Sequence, residues 1–152
     1  VMDSYTALMV EPYPDRPETC GVEVFTVEAF NEAVIKADGM GLQISVHCCG
    51  DGAVRRVLDG YEAAINANGR RDSRHRIEHV ETVTDVDIPR FKELGVIASM
   101  QPLHSAAAGL FPNIPPGMIY HDRQIRNAFA WQTLRDAGAT LAFGTEIGRA
   151  HV

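Results

Sequence analysis

Leu42-Gln-Ile-Ser-Val-His47 is followed directly by Cys48-Cys-Gly-Asp-Gly52, so a short apolar run ends in a histidine and then a glycine-flanked turn. A similar run, His75-Arg-Ile-Glu-His79, places a second histidine 32 residues after the first. This separation is the length of one β-strand, one helix and the next parallel strand. In a (β/α) barrel, the carboxyl ends of such strands face one cavity where the chemistry takes place. The spacing therefore predicts two imidazoles, of His47 and His79, that could bind one metal ion.

Both histidines also have a structural interpretation, and the spacing alone does not decide between the two. His47 fits a core histidine with Asp51 capping the helix behind it. His75 and His79 fit surface residues beside a basic loop. Because side chains alternate along a strand, His79 and Glu78 point to opposite faces. If His79 faces the cavity, Glu78 is expected to face the helices and pair with an arginine.

Hydrophobic periodicity and Gly/Pro positions predict regular alternation of helices and strands along most of the chain. The first helix has Thr26 as its N-cap, and Asp85 or Asp87 is expected to start a short helix. Residues 1–25 and 105–122 read as loops, the second of which is long enough to act as a lid. The predicted order is helix 27–37, strand 42–47, helix 53–66, strand 75–80, helix to residue 94, strand 96–101, helix 123–137 and strand 140–144.

This alternation predicts an α/β fold with a parallel sheet and outer helices, namely a partial TIM-type (β/α)8 barrel. A complete barrel of this type needs about 250 residues, whereas the chain has 152. We therefore expect a fragment with about half of the barrel. Its open sheet edges would need another chain to cover them.

Composition narrows the classes of function. The chain is 45% hydrophobic and 22% charged, with a net charge of −6, which argues against nucleic-acid binding. It has neither a membrane-length apolar run nor a signal-peptide pattern, so no membrane association is expected. Its three cysteines do not form a disulfide framework. We expect reduced thiols and a cytoplasmic location.

Other polar side chains follow the later predicted strands. Gln101 and His104 come after the third strand and could hydrogen-bond a substrate, although polar residues often simply mark a loop. Glu146 follows the fourth strand, where a carboxylate could bind metal and take a proton from water, or could cap a helix. Cys48 or Cys49 beside His47 is a weaker candidate, as a thiol nucleophile.

Four ordered motifs closely resemble the amidohydrolase superfamily, in particular amidohydrolase family 3, whose members are metal-dependent hydrolases. The opening residues also resemble the segment after the fourth barrel strand of that family. The similarity extends from near residue 1 to about residue 145. The motifs are Val46-His-Cys-Cys-Gly-Asp51, Arg74-His-Arg-Ile-Glu-His79, Ala98-Ser-Met-Gln-Pro-Leu-His104 and Phe143-Gly-Thr followed by an acid.

The resemblance implies specific roles for the candidate residues. His47 and His79 would be metal ligands at the ends of barrel strands five and six. Glu146 would stand at the strand-eight acid, an aspartate in the family, which binds metal and acts as general base. Gln101 and His104 would bind substrate. The cofactor would be a divalent metal, with zinc expected, as one or two ions in the full-length parent.

The resemblance also implies an activity and a domain organisation. The activity would be hydrolysis of non-peptide C–N bonds in a small amide-like molecule by a metal-activated water. Residues 1–145 would be the C-terminal half of the barrel domain, strands five to eight, and the other ligands would precede residue 1. The heptapeptide 146–152 matches the translation of a common sequencing adapter, so we expect a non-native tail.

These expectations leave two functional hypotheses. In the first, the chain is a fragment of an amidohydrolase and is inactive by itself. In the second, it is a non-catalytic half-barrel that binds a metal or a partner. The expected partners are the missing N-terminal half of the barrel or a second copy in a homo-oligomer.

Overall fold

The computed structural model describes residues 4–105 and 127–145. Four strands in these ranges form one parallel sheet in the order β1-β2-β3-β4. Each strand therefore pairs with its neighbour in sequence, as in a (β/α) barrel. The predicted α/β class and parallel sheet are confirmed. The strands are β1 (Ser45–Cys48), β2 (Arg76–His79), β3 (Ile97–Met100) and β4 (Thr140–Phe143).

Helices connect the strands and cover one face of the sheet. They are α1 (Val27–Gly39), α2 (Asp51–Asn68), α3 (Ile88–Leu94) and α4 (Trp131–Asp136), and a short 3₁₀ helix spans Pro102–His104. Val54, Leu58 and Tyr61 of α2 are fully buried in the same core cluster as Ile77 of β2. The Tyr61 hydroxyl donates a 2.8 Å hydrogen bond to the Arg76 carbonyl. The apolar face of α2 and the inner face of the sheet therefore form the main core.

Helix α1 begins where the sequence predicts. The Thr26 side chain accepts a 3.2 Å hydrogen bond from the Ala29 amide and so caps the first turn. Helix α1 packs closely against α2. A Cβ atom at Gly60 would lie only 2.6 Å from the Phe30 ring. A glycine at this position allows the two helices to approach each other.

An N-terminal segment, residues 4–21, folds over the turn that follows β1. Its buried side chains are Ala7, Met9 and Tyr13, which form a small second cluster. A Cβ atom at Gly50 would lie 2.1 Å from the Leu8 carbonyl oxygen, so this contact requires glycine.

The predicted helix cap at Asp51 is wrong, because the Asp51 side chain contacts the N-terminal segment instead of capping α2. Asp51 is the first residue of α2, and Gly50 is the N-cap without a side-chain hydrogen bond. The Asp51 carboxylate instead accepts a 2.8 Å hydrogen bond from the Val10 amide. It therefore joins the N-terminal segment to α2.

The helix predicted over 123–137 is only partly confirmed, and its residues 123–126 lie outside the described residues. Of residues 127–137, which the structure describes, only Trp131–Asp136 form an α-helix. Phe129 has a left-handed backbone with φ of 49°, and its amide donates to the Glu81 carbonyl at 2.8 Å. The Asn127 side chain donates to Asp85 at 2.7 Å. These tertiary contacts hold residues 127–129 against the loop after β2 and stop a helix from forming there.

Two other sequence predictions, the lid and the C-terminal tail, concern residues that lie largely outside the described ranges. Residues 106–122 of the predicted lid and residues 146–152 of the predicted tail, including Glu146, lie outside the described residues. None of the described helices has both the length and the apolar character needed to cross a membrane. Cys20, Cys48 and Cys49 are not joined in disulfides.

Candidate metal centre

His47 and His79 meet at the carboxyl end of the sheet. His47 Nδ1 lies 2.7 Å from His79 Nε2, and the two ring centroids are 4.9 Å apart. His47 is exposed, whereas His79 is 9% exposed. The structure therefore brings together the two imidazoles that the sequence predicts as metal ligands, with one nitrogen of each ring facing the other.

The backbone at the end of β2 explains how His79 reaches His47. In the strand register, Cys48 is opposite His79 and His47 is opposite Glu78. Regular alternation would therefore direct His79 to the core side, with the buried Cys48. His79 and Val80 instead have left-handed φ values of 77° and 47°, a conformation that non-glycine residues rarely adopt. This turn in the chain brings the His79 ring to His47.

The predicted orientation of Glu78 is wrong for the same reason. Glu78 is paired in register with His47 on the open face of the sheet and does not face the helices. Its carboxylate accepts a 2.7 Å hydrogen bond from the Ser45 hydroxyl and lies 3.1 Å from Arg76 Nε. The arginine pair expected from the sequence is thus formed on the opposite face from the one predicted.

Glu78 places a negative charge beside His47. Burial alone would raise the pKa of Glu78, but hydrogen bonds from Ser99 and Ser45, together with Arg76, outweigh burial and lower the pKa below its ordinary value. The carboxylate is therefore ionised at neutral pH. An anion on this face favours a cation between the imidazoles.

Gln101 contacts His79 from the end of β3. Its side-chain oxygen lies 2.8 Å from His79 Nδ1, and the residue is 6% exposed. Both nitrogens of the His79 ring are thus held by other side chains, one by His47 and one by Gln101. The substrate contact predicted for Gln101 stays a prediction.

His104 lies beside the same ring, together with a residue that the sequence analysis missed. The His104 and His79 rings stack with centroids 5.6 Å apart. Glu81 Oε1 lies 3.6 Å from His104 Nδ1. One donor atom from each of His79, Glu81 and His104 falls within 4.8 Å of the others. The only sequence signal for Glu81 is its position two residues after His79, in the loop that follows the strand.

This second group of donors competes with the first for His79. A cation held by Glu81 and His104 would need a ring nitrogen of His79 that already contacts His47 or Gln101. The His47–His79 pair needs no such exchange. The first pair is therefore the better candidate, and Glu81 and His104 provide a direct test of that choice.

The thiols beside His47 differ in their surroundings. Cys48 is 1% exposed, and burial raises the pKa of its thiol far above the ordinary value. A thiol of this kind is a poor nucleophile because the reactive form is the thiolate. Cys49 is half-buried. Cys48 thus belongs to the core.

Among the described residues, one cavity contains both imidazoles in its wall. It has a volume of about 390 Å³ and is otherwise lined largely by apolar side chains, including Leu8, Phe25 and Val57. A second cavity of about 310 Å³ is lined by Asp51, Arg55 and neighbouring loop residues. The first combines apolar walls with two imidazoles, which is typical of a small-molecule site.

The donor set fits a divalent transition metal. Neutral imidazole nitrogen is a common ligand for zinc, at about 2.0–2.1 Å. Two such ligands at a tetrahedral angle are about 3.3 Å apart, compared with 2.7 Å between His47 Nδ1 and His79 Nε2. Because His47 is exposed, a small rotation of its ring can open the pair. Two imidazoles provide one ligand fewer than catalytic zinc sites usually have.

Comparison with known proteins gives a consistent result. The model of the amidohydrolase family matches residues 1–149. Protein LONG AFTER FAR-RED 3 of Arabidopsis thaliana is 34% identical over 145 residues, which cover 95% of this chain and 24% of that protein. YtcJ of Bacillus subtilis (strain 168) is 35% identical over 141 residues, 93% of this chain and 25% of YtcJ. The chain thus spans about a quarter of the length of these relatives.

A solved structure agrees with these matches. The crystal structure of an uncharacterized metal-dependent hydrolase from Pyrococcus furiosus has a TM-score of 0.78 and 31% identity to this chain. The similarity covers 97% of this chain and 29% of that protein. The four-stranded sheet is therefore similar to one part of a larger chain, as expected for a partial barrel.

Proposed function

The chain belongs to the amidohydrolase family, and on that premise we propose that it carries part of the active site of a metal-dependent hydrolase. The proposed reaction is hydrolysis of a non-peptide C–N bond in a small amide-like substrate. The four strands would be strands five to eight of a larger barrel, and the rest of that barrel would be the chain's main partner.

One observation carries this proposal, namely the meeting of His47 and His79. Their facing nitrogens are 2.7 Å apart at the carboxyl end of a parallel sheet. Ligands at this end of successive strands are typical of catalytic centres in (β/α) barrels. The strained backbone at His79 adds support, because such strain is concentrated at functional sites.

The side chains at the carboxyl end of the sheet would have separate roles in this reaction. His47 Nδ1 and His79 Nε2 would hold a divalent cation, with zinc the proposed ion. When bound, the cation would supply Lewis acidity that activates water at neutral pH. Glu78 would add negative charge beside the cation. The apolar wall of the cavity would exclude water from the substrate.

Three predictions from the sequence complete the proposal. Glu146, outside the described residues, would supply the strand-eight acid that takes and returns a proton. Gln101 and His104 would line the substrate site. A cytoplasmic location is likewise retained from the sequence.

Calorimetric titration of zinc into the chain tests the metal centre. We expect His47→Ala and His79→Ala each to weaken zinc binding at least tenfold, because each removes one of two protein ligands. Gln43→Ala is the control, since Gln43 is exposed and lies at the opposite end of the sheet from His47. Its zinc affinity should equal that of the unmodified chain.

Variants of the second donor group make the test selective. Glu81→Gln and His104→Ala should change zinc affinity much less than His47→Ala. Strong losses in these two variants, with an unchanged His47→Ala variant, would place the cation at Glu81 and His104 and contradict the proposal.

Hydrolysis is tested in a full-length protein that contains this chain. We expect release of amine from acylated amines, abolished by a chelator and restored by zinc. A full-length protein that binds metal at His47 and His79 but cleaves no acylated amine would instead support the non-catalytic hypothesis.

A further inference from the structure

Gln101 follows β3 directly, and its side chain reaches across to the end of β2. Its amide nitrogen lies 3.5 Å from the Ser99 carbonyl oxygen, which can only accept a hydrogen bond. Its amide oxygen therefore faces the other way, 2.8 Å from His79 Nδ1. Ser99 and Gln101 are 8% and 6% exposed, so water has little access to these bonds.

This orientation determines which nitrogen of the His79 ring carries the proton. An amide oxygen only accepts, so His79 Nδ1 must donate. In the neutral ring, Nε2 then has the free electron pair. Nε2 is the nitrogen that faces His47 Nδ1 at 2.7 Å.

The backbone at His79 leaves the orientation of its ring to side-chain contacts such as the one with Gln101. Because His79 and Val80 have left-handed φ values, strand alternation does not orient the His79 ring. The ring is held by side chains instead, and among its contacts the one to Gln101 is buried while His47 is exposed. Gln101 is thus the partner of the ring that is shielded from solvent.

We propose that Gln101 is a positioning residue that fixes His79 in the Nδ1-protonated tautomer and presents its Nε2 electron pair to the cation. The cation itself rests on the proposed function, whereas the tautomer does not. Gln101 acts through His79, a role separate from the substrate contact predicted from the sequence. Outer partners of this kind typically change metal affinity 10- to 100-fold.

The first test reads the tautomer directly in the metal-free chain, by nitrogen-15 NMR of the histidine rings at about pH 8, where imidazole is neutral. We expect His79 to show a protonated Nδ1 and an unprotonated Nε2. A protonated Nε2 in the unmodified chain would overturn the proposal without any variant.

Variants of Gln101 then distinguish the effect of its acceptor oxygen from the effect of its side-chain shape. Gln101→Met has a similar length but only a weak sulfur acceptor in place of the amide oxygen, and we expect a mixture of His79 tautomers and 10- to 100-fold weaker zinc binding. Gln101→Glu keeps an acceptor oxygen and should retain the Nδ1-protonated form. Gln43→Met is the matched control, since Gln43 is exposed and lies at the opposite end of the sheet.

The outcomes distinguish this proposal from the proposed function. An unchanged tautomer in a folded Gln101→Met chain would overturn the role of Gln101. A chain that binds no zinc, but shows the expected tautomers, would contradict the metal centre and leave the role of Gln101 supported. Loss of the tautomer in Gln43→Met would show that general destabilisation, and not the acceptor, controls the ring.

Discussion

His75 directly precedes β2 and His79 is the last residue of that strand, yet the surroundings of the two rings differ in kind. The His75 ring is 3% exposed and accepts a 3.1 Å hydrogen bond from the Ile44 amide at Nδ1. Its Nε2 lies 3.1 Å from Asp38, which Arg71 and Asn68 also contact. His79 instead contacts the side chains of His47 and Gln101.

The difference shows how to separate a structural histidine from a candidate ligand. A backbone amide and a buried carboxylate satisfy both nitrogens of His75, so its ring completes the fold. His79 has side-chain partners at strand ends, and its backbone is strained. Strain of this kind costs about 1–3 kcal/mol and is concentrated at functional sites. One end of β2 therefore serves stability and the other serves the site.

The largest expected effect is at the structural end. Asp38→Ala should lower the free energy of unfolding by about 3 kcal/mol, because it leaves His75 and Arg71 without their buried carboxylate. Urea unfolding measures this loss. Asp72→Ala is the control, since Asp72 is 75% exposed in its pair with Arg74 and should change little.

The same variant tests whether the two ends of β2 act independently. If the two ends of β2 are independent, folded Asp38→Ala should bind zinc with unchanged affinity. A stability close to that of the unmodified chain, or a selective loss of zinc binding, would show that the assignment of the two ends is wrong.

A smaller effect is expected at the candidate site. His79→Gly should be more stable than His79→Ala by about 1 kcal/mol, because glycine adopts a left-handed backbone without strain. Thermal unfolding of the two variants measures the difference, and both should lose zinc affinity. Equal stabilities would mean that the backbone at residue 79 stores no strain.

The smallest expected effect is the pH dependence of stability from the His75–Asp38 pair. Burial lowers the pKa of His75, although the hydrogen bond to Asp38 acts in the opposite direction. Below about pH 6.5 the unfolded chain therefore binds a proton before the folded chain does. The free energy of unfolding should fall as the pH falls through this window.

Asp38 extends the same trend to lower pH. Burial would raise the pKa of Asp38, but hydrogen bonds from Asn68, Arg71 and His75 outweigh burial and lower it. Its stabilisation is present above about pH 4 and is lost below that value. Urea unfolding at several pH values measures both steps, and His75→Gln should flatten the first. Stability that increases from pH 7 to pH 5 would contradict this account of the pair.

Much of the fold could be predicted because hydrophobic periodicity is a local property. Thr26 caps α1 as expected, and all four predicted strands are present. The errors come from contacts between distant residues. Asp51 bonds Val10 and does not cap its own helix, and Phe129 bonds Glu81 where a helix was expected.

The candidate site could be predicted only in part, for a related reason. The spacing of His47 and His79 predicted that the two rings meet. Strand alternation placed Glu78 on the wrong face, because the left-handed backbone at His79 interrupts the alternation. Neither that turn nor the contact of Glu81 with His104 has a periodic signal in the sequence.

The N-terminal segment has a consequence for the order of folding. Its contact with α2 joins Val10 to Asp51, which are 41 residues apart, and its own cluster contains only three buried residues. So small a cluster cannot order the segment alone, and closing a loop of this length carries an entropic penalty. We therefore expect the segment to dock after α2 has formed, so that the turn following His47 is completed late. A ribosome would thus release these first residues well before the helix that receives them.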